Sequence, residues 1–299
     1  MNDTIISKYK KKIDELAKKF NYDNNIKHLL YLIIPAFTQK YKGEEKLILD
    51  VFTNTPIIIN NENSPYINAY YVSIPNYIDN KLTTSKYIVI NNYEKINLIT
   101  LLDNLIHEYN HAINSYNNEI SIKNNIIYIR TGLSEIIYEE KTLKQLEKTK
   151  SYILEEVINT KQTESIVNII KNYTSSNIDT INNTIYAINN ETNKNYNSNA
   201  YLLETNILKE LTNNSTFIYT LENLRINGQT EDIETWFNNI TGIKNSYNKL
   251  IELLNKIMNL ELKLQTQKYF KSFTIAKIKS YIKDINYIII TFNENCNYR

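Results

Sequence analysis

Apolar residues recur along this chain at two different spacings, and the change of spacing predicts where helices and strands lie. Within Met1–Phe20 they recur at helical spacing behind a lysine-rich face, which predicts a first helix whose lysines face solvent. A second apolar stretch spans Leu29–Phe37, where Pro35 disfavours an uninterrupted helix. Short runs rich in β-branched and aromatic residues then predict a small mixed or antiparallel sheet with strands at Leu47–Phe52, Pro56–Asn60, Tyr70–Ile74 and Tyr87–Asn91.

Helical spacing dominates the remainder of the chain. A long helix is predicted from Tyr93 to Asn117, and from Ile120 onward the pattern is mainly helical. The candidate helices of this second half are 143–172, 198–213, 216–226, 230–239 and 243–266. Two helix ends are predicted at Asn227-Gly228 and Thr241-Gly242. An asparagine-dense loop is predicted over Asn182–Asn197, and one last strand over Asn286–Phe292.

This order of elements predicts an α+β fold with two sub-domains. Residues 1–119 form an N-terminal sub-domain that holds the small sheet and the long helix. Residues 120–299 form a mainly helical sub-domain, which we expect to complete a cleft with the first. The chain of 299 residues is long enough to bury a large core in this arrangement.

Composition and charge exclude several classes of protein. The 34 Lys and Arg residues nearly balance the 32 Asp and Glu residues, so no basic surface for nucleic acid is indicated and we expect no nucleic-acid partner. The single cysteine, Cys296, excludes an intramolecular disulfide and a cysteine-based zinc cluster. Neither a transmembrane segment nor a secretory leader is recognisable, so the cytoplasm is the expected location, and nothing indicates the oligomeric state.

The candidate chemistry lies in the predicted long helix, at His107-Glu108-Tyr109-Asn110-His111. Residues four apart share a helix face, so His107 and His111 can offer two imidazole nitrogens to one metal ion. Glu108 is then placed to activate water without being a ligand itself. A solvent-exposed helix face gives the same pattern, but the chain has only 3 His residues, and this scarcity favours the metal site.

A catalytic zinc ion usually takes three protein ligands, so two histidines leave the site incomplete. The longer motif with a third histidine would require Gly at position 114 and His at position 117, where this chain has Asn114 and Asn117. His28, the remaining histidine, lies in a short segment before the sheet and is expected to be structural or exposed. A carboxylate from a later helix is therefore the expected third ligand.

The segment Leu154-Glu155-Glu156-Val157-Ile158-Asn159-Thr160 resembles the second motif of the gluzincin zinc metallopeptidases. In that family a downstream helix supplies a glutamate ligand, commonly preceded by Asn and followed four positions later by a supporting polar residue. The resemblance implies a zincin-like fold, with Glu156 as the zinc ligand and Thr160 as the supporting residue. Here Glu155 stands where the family commonly has Asn.

Helical periodicity places Glu156 on a partly apolar face of its helix and Glu155 on a face expected to meet solvent. A carboxylate on an inward face needs a compensating partner, which favours Glu156 as the ligand. The sequence leaves other carboxylates open for the same role, namely Glu155, Glu135, Glu164 and Glu119.

These residues predict a zinc-dependent metallopeptidase that hydrolyses peptide bonds of a peptide or protein substrate, with Glu108 as general base. Asp103, one turn before His107, is a candidate to orient that imidazole. The substrate would pair with an edge strand, either Tyr70–Ile74 or Tyr87–Asn91. The donor that stabilises the oxyanion stays open among Arg130, Tyr138, Tyr201 and Arg225.

Two other interpretations compete with the peptidase. One is a binding or regulatory protein that keeps the zincin fold without turnover. The other is a helical interaction protein in which the histidine motif arose by chance.

Overall fold

The computed structural model describes residues 3–60, 68–148, 151–173, 186, 201–266 and 271–297. The chain divides into two compact units, the first comprising Met1–Tyr116 with Asn159–Ser198 and the second comprising Asn117–Ile158 with Asn199–Arg299. The architecture is α+β, as predicted, with two small sheets and a helical C-terminal half. The predicted sub-domains 1–119 and 120–299 remain a prediction. The predicted loop 182–197 lies, except for Tyr186, outside the described residues.

Three helices open the first unit, α1 (Asp3–Phe20), α2 (Asn24–Lys40) and α3 (Glu45–Asn54). The carboxylate of Asp23 caps α2 by accepting a hydrogen bond from the backbone N–H of Ile26, at 2.9 Å. Helix α2 continues through Pro35, contrary to the expected interruption. A proline inside a helix costs about 3 kcal/mol, and each buried aliphatic side chain contributes about 1.5–3 kcal/mol. The free energy gained by burying residues 29–37 therefore outweighs the cost of the proline inside the helix.

The predicted strand Leu47–Phe52 is wrong, because this segment lies in α3. Its buried residues are Leu47, Ile48, Val51 and Phe52, which are spaced as one face of a helix. A run of branched and aromatic residues this short has no periodicity that separates the two structures.

The first unit contains a mixed sheet of β1 (Ile57–Asn60), β2 (Ala69–Ile78) and β3 (Lys81–Asn91) in the order β1-β3-β2. β1 is parallel to β3, and β2 is antiparallel to it. Asp79 and Asn80 have φ angles of 50° and 59°, the left-handed conformation of a tight hairpin turn between β2 and β3. Because β3 has a partner on each side, β2 is an edge strand and β3 is not.

A short 3₁₀ turn, Tyr93–Lys95, leads into α4 (Leu98–Ser115). The side chain of Asn97 accepts a hydrogen bond from the N–H of Thr100, so the helix begins later than the predicted Tyr93. The apolar back of α4 is buried within the first unit, and this burial orients its polar face.

The second unit begins with an antiparallel sheet that the sequence pattern did not predict. Its strands are β4 (Ile120–Lys123), β5 (Ile126–Thr131), β6 (Ser134–Glu139) and β7 (Gln145–Lys148), paired in chain order. Asn124 and Asn125 form the first turn with φ angles of 54° and 60°. Because β7 occupies 145–148, the helix predicted over 143–172 begins only at Tyr152.

Helices make up the rest of the described chain: α5 (Tyr152–Lys171), α6 (Leu202–Ile207), α7 (Lys209–Thr212), α8 (Ser215–Asn227), α9 (Asp232–Thr241), α10 (Ser246–Thr266) and α11 (Lys271–Asn297). Gly228 and Gly242 end α8 and α9 with positive φ angles, which confirms the two predicted helix ends. The predicted strand Asn286–Phe292 is wrong, because it lies inside α11. None of the described helices is long and apolar enough to cross a membrane.

An aromatic cluster fills the core of the second unit between α8, α9 and α11. The rings of Phe237 and Phe292 stack with their centroids 4.8 Å apart, and Phe217 meets Phe292 edge-on at 5.5 Å. All three side chains are fully buried. Aromatic pairs of this geometry add to the free energy gained by removing the rings from water.

We expect Phe237→Ala to lower the free energy of unfolding by about 3–5 kcal/mol, because it removes a buried ring and leaves a cavity. Urea denaturation followed by circular dichroism measures this change. Phe273→Ala is the matched control, because Phe273 is 62% exposed, and it should leave the midpoint unchanged. Equal effects of the two substitutions would contradict this assignment of the core.

Candidate metal centre

Helix α4 presents the two histidines of the motif on one face. Their Nε2 atoms lie 3.3 Å apart, and the rings meet at an interplanar angle of 76°. His111 is buried and His107 is half-buried. The two imidazoles therefore direct the same ring nitrogen toward one point.

Glu156 joins the histidines as a third donor. One ligand atom from each of His107, His111 and Glu156 lies within 4.8 Å of the other two. Glu156 lies in α5, which is a single continuous helix although the two compact units divide after Ile158. One turn further along the same helix, the Asn159 amide donates a hydrogen bond to the His107 carbonyl oxygen at 2.9 Å. This contact attaches the part of α5 that begins at Asn159 to the motif helix.

The donor set and its spacing fit zinc. In a tetrahedral site with zinc–nitrogen bonds of about 2.0–2.1 Å, two ligand nitrogens lie about 3.3 Å apart. The His107 and His111 nitrogens are separated by 3.3 Å. Two imidazoles and one carboxylate, with a fourth position open, are the donor set of a catalytic rather than a structural zinc ion.

Glu108 lies outside this group of three donors. Its carboxylate is buried and accepts a hydrogen bond of 2.7 Å from the backbone N–H of Tyr71. Tyr71 belongs to β2, the edge strand of the first sheet. Of the two predicted substrate edges, only Tyr70–Ile74 lies on an edge strand, because Tyr87–Asn91 belongs to the central β3. The candidate general base therefore lies directly against the candidate substrate edge.

Asp103 lies one turn before His107 on the same helix. The pKa of its carboxyl is raised to about 6, chiefly by burial; His107 lowers it, and Glu164 and Glu108 raise it. The carboxyl is thus electrostatically coupled to His107, and its orienting role stays a prediction.

The expectation that Glu155 faces solvent is wrong, because its side chain is buried. Its carboxylate forms a buried ion pair with Arg225 of α8 and accepts a 2.7 Å hydrogen bond from the Leu133 N–H. Gly132 has a φ angle of 61°, and a side chain at this position would overlap the Glu155 carboxylate. Periodicity misassigned Glu155 because its ion partner lies 70 residues away in sequence. This pairing leaves Glu156 as the donor that turns toward the histidines.

Arg130 belongs to the same buried cluster. Its guanidinium donates to the carbonyl oxygens of Gly132 at 2.9 Å, of Arg225 at 3.0 Å, and of Asn117. Burial lowers the pKa of Arg130 to about 10, with the nearby Arg225 acting in the same direction and Glu155 opposing it. Two of the four candidate oxyanion donors, Arg130 and Arg225, are thus held in contacts that join β5, α5 and α8.

Among the other two candidate donors, Tyr201 interacts electrostatically with Glu156, the candidate third ligand. Its hydroxyl contacts the Tyr152 hydroxyl at 2.7 Å, and burial together with Glu156 raises its pKa. Its backbone has φ of 55° and ψ of 39°, a left-handed conformation that is rare for a tyrosine. Tyr138 is buried in β6.

The remaining sequence candidates lie apart from the three donors. Thr160 is buried, and its hydroxyl has no hydrogen-bond partner among the described residues, so its supporting role stays a prediction. His28 is stacked on Tyr31 in α2, and burial lowers its pKa. Glu119, Glu135 and Glu164 are not part of the metal-binding group found in the described chain.

Sequence reasoning missed the contacts that hold the site in place, from Tyr71, Asn159 and Arg225. Asn159 lies within the quoted second motif, and only its contact with the His107 carbonyl gives it a role. The Tyr71 contact uses a backbone N–H, which leaves no trace in residue type.

We expect Arg225→Met to lower the free energy of unfolding by about 3–5 kcal/mol, because it leaves the Glu155 carboxylate buried without its ion partner. Urea denaturation measures the loss. Lys256→Met removes an exposed cation paired with Glu252 and serves as the control, with no measurable change expected. A stable Arg225→Met protein would contradict the role given to this pair.

The comparisons with known proteins add no relative: no protein-family model, no curated protein and no solved structure matches the chain. The gluzincin resemblance therefore rests on the two short motifs and on the geometry of the donors that they contribute.

Proposed function

We propose that this protein is a zinc-dependent metallopeptidase of gluzincin type with a zincin-like fold. The observation that carries the proposal is the convergence of His107, His111 and Glu156, whose donor atoms lie within 4.8 Å of one another. These residues come from two motifs separated by more than 40 positions, and together they form the donor set of a catalytic zinc site.

The roles of the residues follow from their contacts. His107, His111 and Glu156 would hold the metal, which would supply Lewis acidity that acidifies water and polarises a substrate carbonyl. Glu108, adjacent to the ligands but not among them, takes a proton from the attacking water and passes it to the leaving amine. The β2 edge next to Glu108 aligns an extended substrate through main-chain hydrogen bonds. Tyr201, which interacts electrostatically with Glu156, is the candidate that we assign as donor for the oxyanion.

We expect the purified protein to contain about one zinc ion per chain, and His107→Ala and Glu156→Ala to lose it, because each removes one of three ligands. Elemental analysis after dialysis measures the metal. The matched controls are His28→Ala and Glu164→Ala, which remove the same residue types elsewhere in the chain and should retain zinc. Absence of zinc from the wild-type protein, even after reconstitution, would favour the helical interaction protein.

Glu108→Gln should retain zinc and lower the rate of peptide hydrolysis by about 10²–10⁴-fold, because the amide cannot accept the proton. The amide oxygen can still accept the hydrogen bond from Tyr71, so the fold should be preserved. A quenched fluorescent peptide library gives the rate, and Glu119→Gln is the control with unchanged activity. Zinc binding without any turnover in the wild-type protein would instead support the non-catalytic binding protein.

A further inference from the structure

A groove of about 1080 Å³ lies entirely within the second unit. One side is formed by β4, β5 and β6, and the other by α10 and the turn between α8 and α9. Its volume is slightly above the ~300–1,000 Å³ typical of ligand sites. Its lining is polar and apolar in about equal parts, and no residue of the proposed metal site contributes to it.

An exposed strand edge opens onto this groove. β4 is an edge strand of the second sheet, and Ile120, Ser121 and Lys123 all line the groove. Successive side chains of a strand point to opposite faces of the sheet. Because the adjacent residues Ile120 and Ser121 both line the groove, we infer that the groove borders the edge of β4 rather than one face of the sheet.

The register of β4 determines which backbone groups point along that edge. The backbone N–H of Arg130 donates a hydrogen bond to the carbonyl oxygen of Glu119 at 2.7 Å. In an antiparallel ladder, residue pairs that are hydrogen-bonded to each other alternate with pairs that are not. Ile120 and Ile122 are therefore the residues whose N–H and C=O point away from β5. An extended polypeptide can add to the sheet at this position by main-chain hydrogen bonding.

Carboxylates dominate the accessible charge of the groove. Glu135 lies on β6, and Glu231 and Glu234 lie on the opposite wall. Burial raises the pKa of Glu135, Lys123 and Arg130 lower it, and the nearby Glu231 raises it, so the two carboxylates repel one another while both cations also act on Glu135. The cations of the lining are Lys123 and the guanidinium of Arg130, which is bound to three carbonyl oxygens. This balance favours a cationic side chain in the groove.

One end of the groove leads toward the metal ligand of this unit. Ser151 and Tyr152, at the start of α5, line that end. The Tyr152 hydroxyl contacts Tyr201, which interacts with Glu156, one turn along the helix from Tyr152. A chain lying in the groove therefore ends beside residues that adjoin the proposed zinc ligand.

We propose that this groove binds an extended stretch of the polypeptide substrate as an added strand on β4, with a lysine or arginine side chain of the substrate paired with Glu135 and Glu231. The proposal rests on the proposed peptidase function, and it adds a preference for basic sequence away from the scissile bond.

Fluorescence anisotropy of the full chain carrying Glu108→Gln tests this proposal without cleavage. The probes are two fluorescein-labelled decapeptides with an identical Ala-Thr background, one with Lys at two alternate positions and the other with Glu there. The Lys peptide should bind about tenfold more tightly than the Glu peptide. Adding Glu135→Gln and Glu231→Gln should reduce this preference to about twofold or less. Asp232→Asn, an exposed neighbour outside the lining, is the charge-matched control and should leave it unchanged.

A second probe tests the strand pairing. Methylating alternate backbone nitrogens of the Lys peptide removes N–H donors without changing its charge, and this should weaken binding at least fivefold. Equal binding of the Lys and Glu peptides, or a Lys preference that survives the double Gln substitution, would overturn the proposal. Zinc content and peptide cleavage are measured in parallel on the chain with native Glu108. Lys-selective binding by a zinc-free protein would overturn the peptidase and leave the peptide groove, whereas zinc-dependent cleavage of the Lys and Glu peptides at equal rates would do the reverse.

Discussion

The buried ion pair between Glu155 and Arg225 is the interaction on which the candidate site depends. Two charges removed from water require good geometry and further hydrogen bonds, and here the Leu133 N–H supplies one of them. The pair joins the start of α5 to α8 and to the turn between β5 and β6. Because Glu155 points to that side, Glu156, the candidate third ligand, points about 100° away around the helix.

A second contact completes the placement of α5. The Asn159 amide donates a hydrogen bond to the His107 carbonyl oxygen, so the middle of the helix is attached to the motif helix. Side chains that serve the proposed chemistry are thus supported by neighbours that do not take part in it. This division between reacting and supporting residues is usual in metal sites, where the supporting contacts orient the ligands.

Local sequence patterns were sufficient where spacing alone carries the information. The helix that carries the histidine motif and the two glycine helix ends are of this kind, whereas two strands were left open as the edge. The second sheet was missed because asparagine forms its first turn, and asparagine is abundant throughout the chain. Helices α3 and α11 contain short branched runs that suit either structure, and tertiary packing decides between them. Glu155 could not be assigned because its orientation depends on Arg225, a partner remote in sequence.

The left-handed backbone of Tyr201 has a consequence for how the site responds to change. A residue with a bulky side chain in this conformation costs about 1–2 kcal/mol, and the surrounding contacts must supply that energy. Burial and the hydroxyl contact with Tyr152 are the visible sources. Loss of the tyrosine pair would therefore remove one of the contacts that offset the backbone cost, so a substitution of Tyr152 would affect the conformation at Tyr201 as well as its hydroxyl.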